Sequence, residues 1–306
     1  MADALALPAP AAMRRRGFGE AMAALSLAGP AMALMVLFLV GPLVVVVLLS
    51  ATDYQLGARS LSYVGLANYA EMFADRVFRK SLENTLIYVA IVVPASVALG
   101  LGAALLIEAG TSLRAFYRAV YFLPVMATLI AMAIVWEFML HPTLGLINLA
   151  LREIGVEGYN WLQDRRTALF TLCGIGVWQS VGFNMVLFMA GLTAIPGELY
   201  EAAAVDGART GLDRFRTVTW PMLGPVTLFV VVITAIRSFQ VFDTVQVMTK
   251  GGPNRATEVL LYTMYSEGFS FFRTGYAAAV TVVFLVFVLA LSLLKTWVLN
   301  RRVHYA

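Results

Sequence analysis

Arg237, Gln240 and Asp243 recur at intervals of three within a largely apolar stretch, with Thr244 beside them. A helix there carries a cation, an amide, a carboxylate and a hydroxyl on one face. A charge near the middle of a bilayer costs roughly 2.5–3.5 kcal/mol on insertion scales, so such a face turns toward protein or a water-filled path. A second set, Trp178, Gln179, Ser180, Phe183 and Asn184, lies on adjacent turns and offers the aromatic surface and amide groups that hold sugar rings and hydroxyls. The same side chains also have a structural reading: Arg237 and Asp243 pair with a neighbouring subunit or Arg237 snorkels, while Gln179 and Asn184 bridge helices. The residues alone leave both readings open.

Catalytic chemistry is not indicated. The chain has no GxxxxGK[ST] phosphate loop, no GxSxG elbow and no HExxH zinc pair. His141 and His304 lack carboxylate or cysteine companions at ligand spacing, so no metal site is expected, and His141, just before Pro142, reads as a helix-end cap. The single cysteine, Cys173, sits in an apolar stretch and reads as a buried structural thiol. Glu137, at the end of an apolar run, reads as a boundary residue.

The elements that must position these groups are membrane helices. Of 306 residues 60% are hydrophobic and only 13% charged, more apolar surface than a water-soluble domain can cover. Six stretches contain no Asp, Glu, Lys or Arg: residues 21–52, 85–107, 119–136, 167–197, 217–236 and 274–294. Each approaches or exceeds the roughly 20 residues that cross a hydrocarbon core. They predict helices over 27–50, 84–107, 116–140, 168–193, 217–247 and 275–298, since the runs lack the alternation of a barrel strand. The expected class is all-α: a polytopic membrane protein with six transmembrane helices over 26–300, flanked by tails at 1–25 and 301–306.

The run from Leu27 to Leu49 is longer than the h-region of a signal peptide and reads as a retained helix. The net charge of +4 comes from basic residues scattered at loop ends, which suits membrane flanks and argues against nucleic acid. With both termini inside, the inner segments hold eleven basic residues and the outer ten, leaving Arg237 within a span. That balance leaves orientation to the motif that follows.

Residues 195–221 join two spans through about two dozen polar, helix-prone residues, where a turn needs two to eight. Pro196 suits a helix start, Glu198 and Glu201 favour its first turn, and Gly207 breaks it; a second short helix runs through Arg214 to Pro221. Ala202, Ala203 and Ala204 leave the surface smooth. Such a hairpin is suited to docking in another protein's groove.

Glu201-Ala202-Ala203, three residues, Gly207, and an apolar-x-apolar-Pro ending resemble the EAA loop of ABC importer permeases, and Asp206-Gly207-Ala208 is similar to the carbohydrate branch. Ten residues separate Gly207 from Val218 where the family pattern has nine, and Trp220 replaces Leu. Phe116-Tyr-Arg118 through Pro124, Gly145-Leu-Ile-Asn148, Phe239-Gln240-Val-Phe-Asp243 and Gly251-Gly252-Pro253 resemble that branch too. The ending Val303-His304-Tyr305 resembles its lactose and glycerol-3-phosphate subtype.

The resemblance implies a type I ABC importer permease fold in a bacterial cytoplasmic membrane, with this loop and both termini cytoplasmic. It implies an ATP-driven, binding-protein-dependent sugar importer in which ATPase coupling falls to Glu198, Glu201, Ala202, Ala203, Asp206, Gly207 and Ala208. By similarity to the maltose-type permease, cavity contacts fall near Gln179, Ser180, Phe183, Ile233, Ile236, Arg237 and Gln240. The implied partners are a second homologous permease, two ATPase subunits and an extracytoplasmic sugar-binding protein. ATP and Mg belong to the ATPase, with no cofactor in this chain. The rivals are an ion-coupled secondary carrier using Arg237 and Asp243, an ABC permease for a non-sugar solute, and an intramembrane enzyme. The first leaves the 195–221 hairpin unexplained.

Overall fold

The computed structural model describes residues 18–110 and 112–302; the expected tails, Arg14 to Arg16 and the Val303-His304-Tyr305 ending fall wholly or partly outside them. Every regular element among the described residues is helical, and the one β-feature is an isolated bridge between Thr52 and Tyr63.

The chain divides into two units, one ending at Leu48. The first is a helical run, α1 (Phe18–Met35), a π-helical turn (Val36–Val40) and α2 (Gly41–Leu49). Residues 22–49 are apolar enough to cross a bilayer.

In the second unit, α3 (Ala67–Ala74) leads into α4 (Arg76–Ala109), then α5 (Arg114–Met126), α6 (Leu129–Met139), α7 (Leu146–Glu153) and α8 (Ala168–Thr193). The hairpin follows as α9 (Gly197–Val205), α10 (Gly211–Arg214) and α11 (Trp220–Met222). Beyond it come α12 (Gly224–Phe239), α13 (Leu260–Tyr265) and α14 (Thr274–Arg302).

The third and fifth expected spans are not straight. α5 and α6 meet at 98°, and the segment 211–222 meets α12 at 67°. Thr128 is extended, breaking the helix just after Pro124, and Gly224-Pro225 follows a break at Leu223, where proline withholds the amide that would continue the ladder. Four helices are thus long enough to span, six if each bent pair is one span.

α4 and α8 form the centre of this unit and run parallel. Gly100 packs on Asn184, and a methyl group there would lie 2.7 Å from the Asn184 Cβ; Gly176 packs on the Tyr88 ring and Gly182 against the Tyr121 carbonyl of α5, with no room for a side chain. Small residues bring the backbones together where lipid supplies no hydrophobic drive. Apolar clusters fill both halves: Tyr88, Val92, Leu172 and Cys173 in one, Ala104, Met185, Phe188 and Leu223 in the other. Cys173 is buried as expected.

Polar anchors close the loops. Asn148 is fully buried, donating to the carbonyls of His141, Pro142 and Tyr159 and accepting from Tyr159 N and the Trp161 indole. His141 Nδ1 accepts from the Thr143 and Leu144 amides and so closes the turn between α6 and α7, whose caps are Leu140 and Gly145, in place of the helix-end cap expected of it. Trp161 and Tyr159 therefore brace this loop.

Candidate functional site

The hairpin projects at the end of the bundle where α8 finishes. Pro196 is the extended N-cap of α9, Glu198 sits in its first turn, and no residue of α9 is buried. The helix stops at Gly207, whose φ of +96° is left-handed. The Ala208 amide returns to the Ala203 carbonyl (2.8 Å) and the Gly207 amide to that of Ala204 (3.3 Å), a Schellman closure. A β-branched residue cannot adopt that backbone cheaply.

The next helix is capped by a reciprocal pair: Thr210 Oγ1 accepts from Asp213 N, and Asp213 Oδ2 accepts from Thr210 N. These bonds hold the Asp213 carboxyl below the usual carboxylate range. The helix then loosens into a π-helical turn over Phe215–Thr219. A π turn closes on one residue more than an α turn. This absorbs the tenth residue between Gly207 and Val218 within a helix, and Trp220 continues it. Tyr200 and Thr219 hydroxyls, 3.1 Å apart, tie α9 to this turn. Between the two helices lies a hollow of about 540 Å³ walled by Leu199, Ala202, Ala203, Asp206, Val218 and Pro221.

The second region lies midway along α8. A cavity of about 80 Å³ brings together Gln179, Ser180, Arg237, Gln240 and Asp243, five of the nine residues placed on the path, and adds Thr244 and Tyr88. Phe183 adjoins it, with the Arg237 guanidinium 4.6 Å above its ring centroid. Ile233 and Ile236 are half-buried on α12 and do not line the cavity.

Asn184 does not join them. It is fully buried, donates to Ser96 Oγ at 3.2 Å and accepts from Thr234 Oγ1 at 2.8 Å, so both ends of its amide tie α8 to α4 and α12. Of its two sequence readings, the inter-helix bridge matches this geometry. The single helical face expected of Arg237, Gln240, Asp243 and Thr244 is not formed: α12 ends at Phe239, Gln240 caps it, and a new helical turn begins only at Asp243, so these groups meet through a chain break and not through helical periodicity. Tyr88 was not legible, since nothing local in α4 points to α12.

At the opposite end from the hairpin, a cluster that the sequence analysis had not singled out surrounds the start of α14. Arg273 bridges Glu71 and Glu267, Tyr276 donates to Asp75 at 2.8 Å, and Glu258 accepts from Thr263. Burial raises both the Glu258 and Glu267 carboxyls, with Arg273 opposing the shift at Glu267. Glu71 and Asp75 reach it from 202 and 201 residues away, while its other members lie close together between Glu258 and Tyr276. Among the described residues no group of His, Cys, Asp and Glu is arranged to hold a metal ion.

Residues 96–304 match the family model for the binding-protein-dependent transport system inner membrane component. The chain belongs to that family. Among relatives of this permease is the sn-glycerol-3-phosphate transport system permease protein UgpA of Agrobacterium fabrum, 35% identical over 249 residues, covering 80% of this chain and 84% of the relative. The probable ABC transporter permease protein YurN of Bacillus subtilis is 35% identical over 263 residues, 85% of this chain and 90% of the relative.

The permease also superposes on a chain of a bacterial alginate ABC transporter, solved in complex with an alginate pentasaccharide-bound periplasmic protein. The TM-score is 0.81 at 20% identity, over 92% of this chain and 96% of that one, which shows the shared fold. The permease is therefore a multi-pass membrane subunit of the all-α type I importer fold, a transport component and not an enzyme.

Proposed function

We propose that this permease imports a carbohydrate-class solute and that the 195–221 hairpin is its mechanical link to an ATPase. The observation that carries the reading is α9: a short helix with no buried residue, an alanine-rich surface and a glycine-locked end, standing clear of the bundle. A helix so poor in its own contacts gains stability from a partner's groove. Glu198, Glu201, Ala202, Ala203, Asp206, Gly207 and Ala208 form the docking surface, which sets the hairpin and both termini in the cytoplasm.

The assembly comprises a second homologous permease, two ATPase subunits and an extracytoplasmic sugar-binding protein, with ATP and Mg held by the ATPases. The carbohydrate assignment is supported by Asp206-Gly207-Ala208, by the amide, hydroxyl and aromatic groups around the cavity, and by the transport role named for the Agrobacterium relative. ATP binding closes the ATPases and moves the hairpin. Because α8 enters the hairpin and α12 leaves it, that movement reaches Gln179, Ser180, Arg237 and Gln240 directly, alternating the cavity between two states.

The test is ATPase activity of the reconstituted complex, stimulated by the loaded binding protein. Glu201→Lys and Gly207→Asp are expected to abolish stimulation while leaving basal hydrolysis and the yield of the permease intact. Full stimulation in both variants removes the hairpin from the coupling path.

A further inference from the structure

Arg237 is exposed in this chain within a membrane-spanning segment, and no ion pair is formed by it or by Asp243 among the described residues. Both line the same cavity without neutralising each other. Beside them Thr244 is 5% exposed, and its buried hydroxyl has no hydrogen-bond partner. A buried hydroxyl without a partner carries a desolvation penalty and a cation without a counter-charge is costly inside a membrane, so both groups favour an occupant that forms hydrogen bonds and bears negative charge.

The Phe183 ring fixes the guanidinium by its face at 4.6 Å. The planar group carries its N–H donors along its edges, an arrangement suited to receive two oxygens of a carboxylate or phosphate at once. Gln179 and Ser180 of α8 and Gln240 and Asp243 of the α12 side supply acceptors and donors for hydroxyls around it. A volume of about 80 Å³ holds a few waters and not a sugar, so the occupant enters only when the walls part.

We propose that Arg237, held over Phe183, is the counter-charge for an anionic group, a phosphate or a carboxylate, on a small polyhydroxylated solute, and that Thr244, Gln179 and Asp243 take its hydroxyls. The proposal rests on the permease reading above and gives its substrate a charge. A neutral sugar leaves Arg237 unpaired in the path, whereas an anionic one satisfies it and is selected over the neutral analogue.

The electrostatics can be read in the assembled complex without knowing the substrate. In a Cys173→Ala background, Ser180→Cys is labelled with an anionic (sulfonatoethyl) and a cationic (trimethylammonioethyl) methanethiosulfonate, with Arg237 intact or replaced by Gln. The anionic-to-cationic rate ratio is expected to fall about tenfold on Arg237→Gln, as a unit charge acts with opposite sign on the two probes. Millimolar inorganic phosphate should slow labelling only when Arg237 is present.

An unchanged ratio overturns the proposal. So does assembly with the second permease that fails for Arg237→Gln and is restored by Arg237→Lys, since the charge then pairs between subunits. If neither reagent reaches Ser180→Cys in any nucleotide state, while a cysteine at Arg255 reacts, the failure lies in the path reading itself.

Discussion

At the end of the bundle opposite the hairpin, Asn84 is 1% exposed and its amide donates to the carbonyls of both Arg255 and Glu258, while Thr85 accepts from the Leu260 amide. The loop so held places Lys250, Asn254 and Arg255 in left-handed backbone, a conformation that non-glycine residues keep only when their surroundings enforce it. The hairpin is held more lightly: α9 and α10 bury no residue, burial is confined to Ala208, Val218 and Thr219 around them, and mostly local devices shape it, a left-handed glycine, a capping box and a π turn. One end is completed by its own chain. The other is pre-shaped but unfilled, as expected of a surface whose remaining contacts come from another protein.

The largest effect expected from this contrast is on the braced end. Asn84→Ala removes two buried hydrogen bonds and leaves two carbonyls unsatisfied, a loss of about 2–4 kcal/mol. It should appear as a lowered melting temperature of the purified complex and rapid amide exchange across residues 250–260. Protection there equal to wild type would end the claim that this end is self-braced.

Gly207→Val forces a β-branched residue into left-handed backbone, at roughly 1–3 kcal/mol. Because that strain falls on an element with no buried residues, the chain's melting temperature should hold while stimulated ATPase activity falls about tenfold or more. A global loss of stability would mean the hairpin is integrated with the bundle after all. Thr210→Ala deletes the capping box at about 1 kcal/mol, so faster exchange is expected at residues 211–216 alone.

The smallest effect is one of pH. Burial raises the folded-state pKa of Glu258 and Glu267, so the folded form holds these protons more tightly than the unfolded form. The stability they confer is complete below the unfolded carboxylate values and declines as pH rises through the raised ones. Melting temperature should fall over that weakly acidic window, and Glu258→Gln, which retains an acceptor for Thr263, should flatten the decline. An identical slope in the variant would dismiss Glu258 as its source.

Much of the fold was legible because membrane helices are written locally: charge-free runs found α8 to the residue and α4 and α14 in outline, and Pro196 and Gly207 marked the limits of α9. The bends were less legible. Pro124 and Pro225 signal breaks, but angles of 98° and 67° depend on what each half packs against. The candidate cavity was half visible: polar residues from Arg237 to Thr244 stand out in an apolar stretch, although the helix expected to align them breaks at Gln240, whereas Tyr88 joins only because Gly176 lets α4 approach α8.

Sequence by itself determined the solvent, the class and the helical hairpin, because hydrophobicity, helix capping and a left-handed glycine act over a few neighbouring residues. Tertiary structure alone decided that Asn184 bridges three helices while Arg237 stays without an ion pair, and that Glu71, Asp75, Glu258, Glu267 and Arg273 form one cluster. The links that decide those outcomes, Asn184 to Thr234 and Arg273 to Glu71, join side chains 50 and 202 residues apart, and partner geometry of that kind leaves no mark on local spacing.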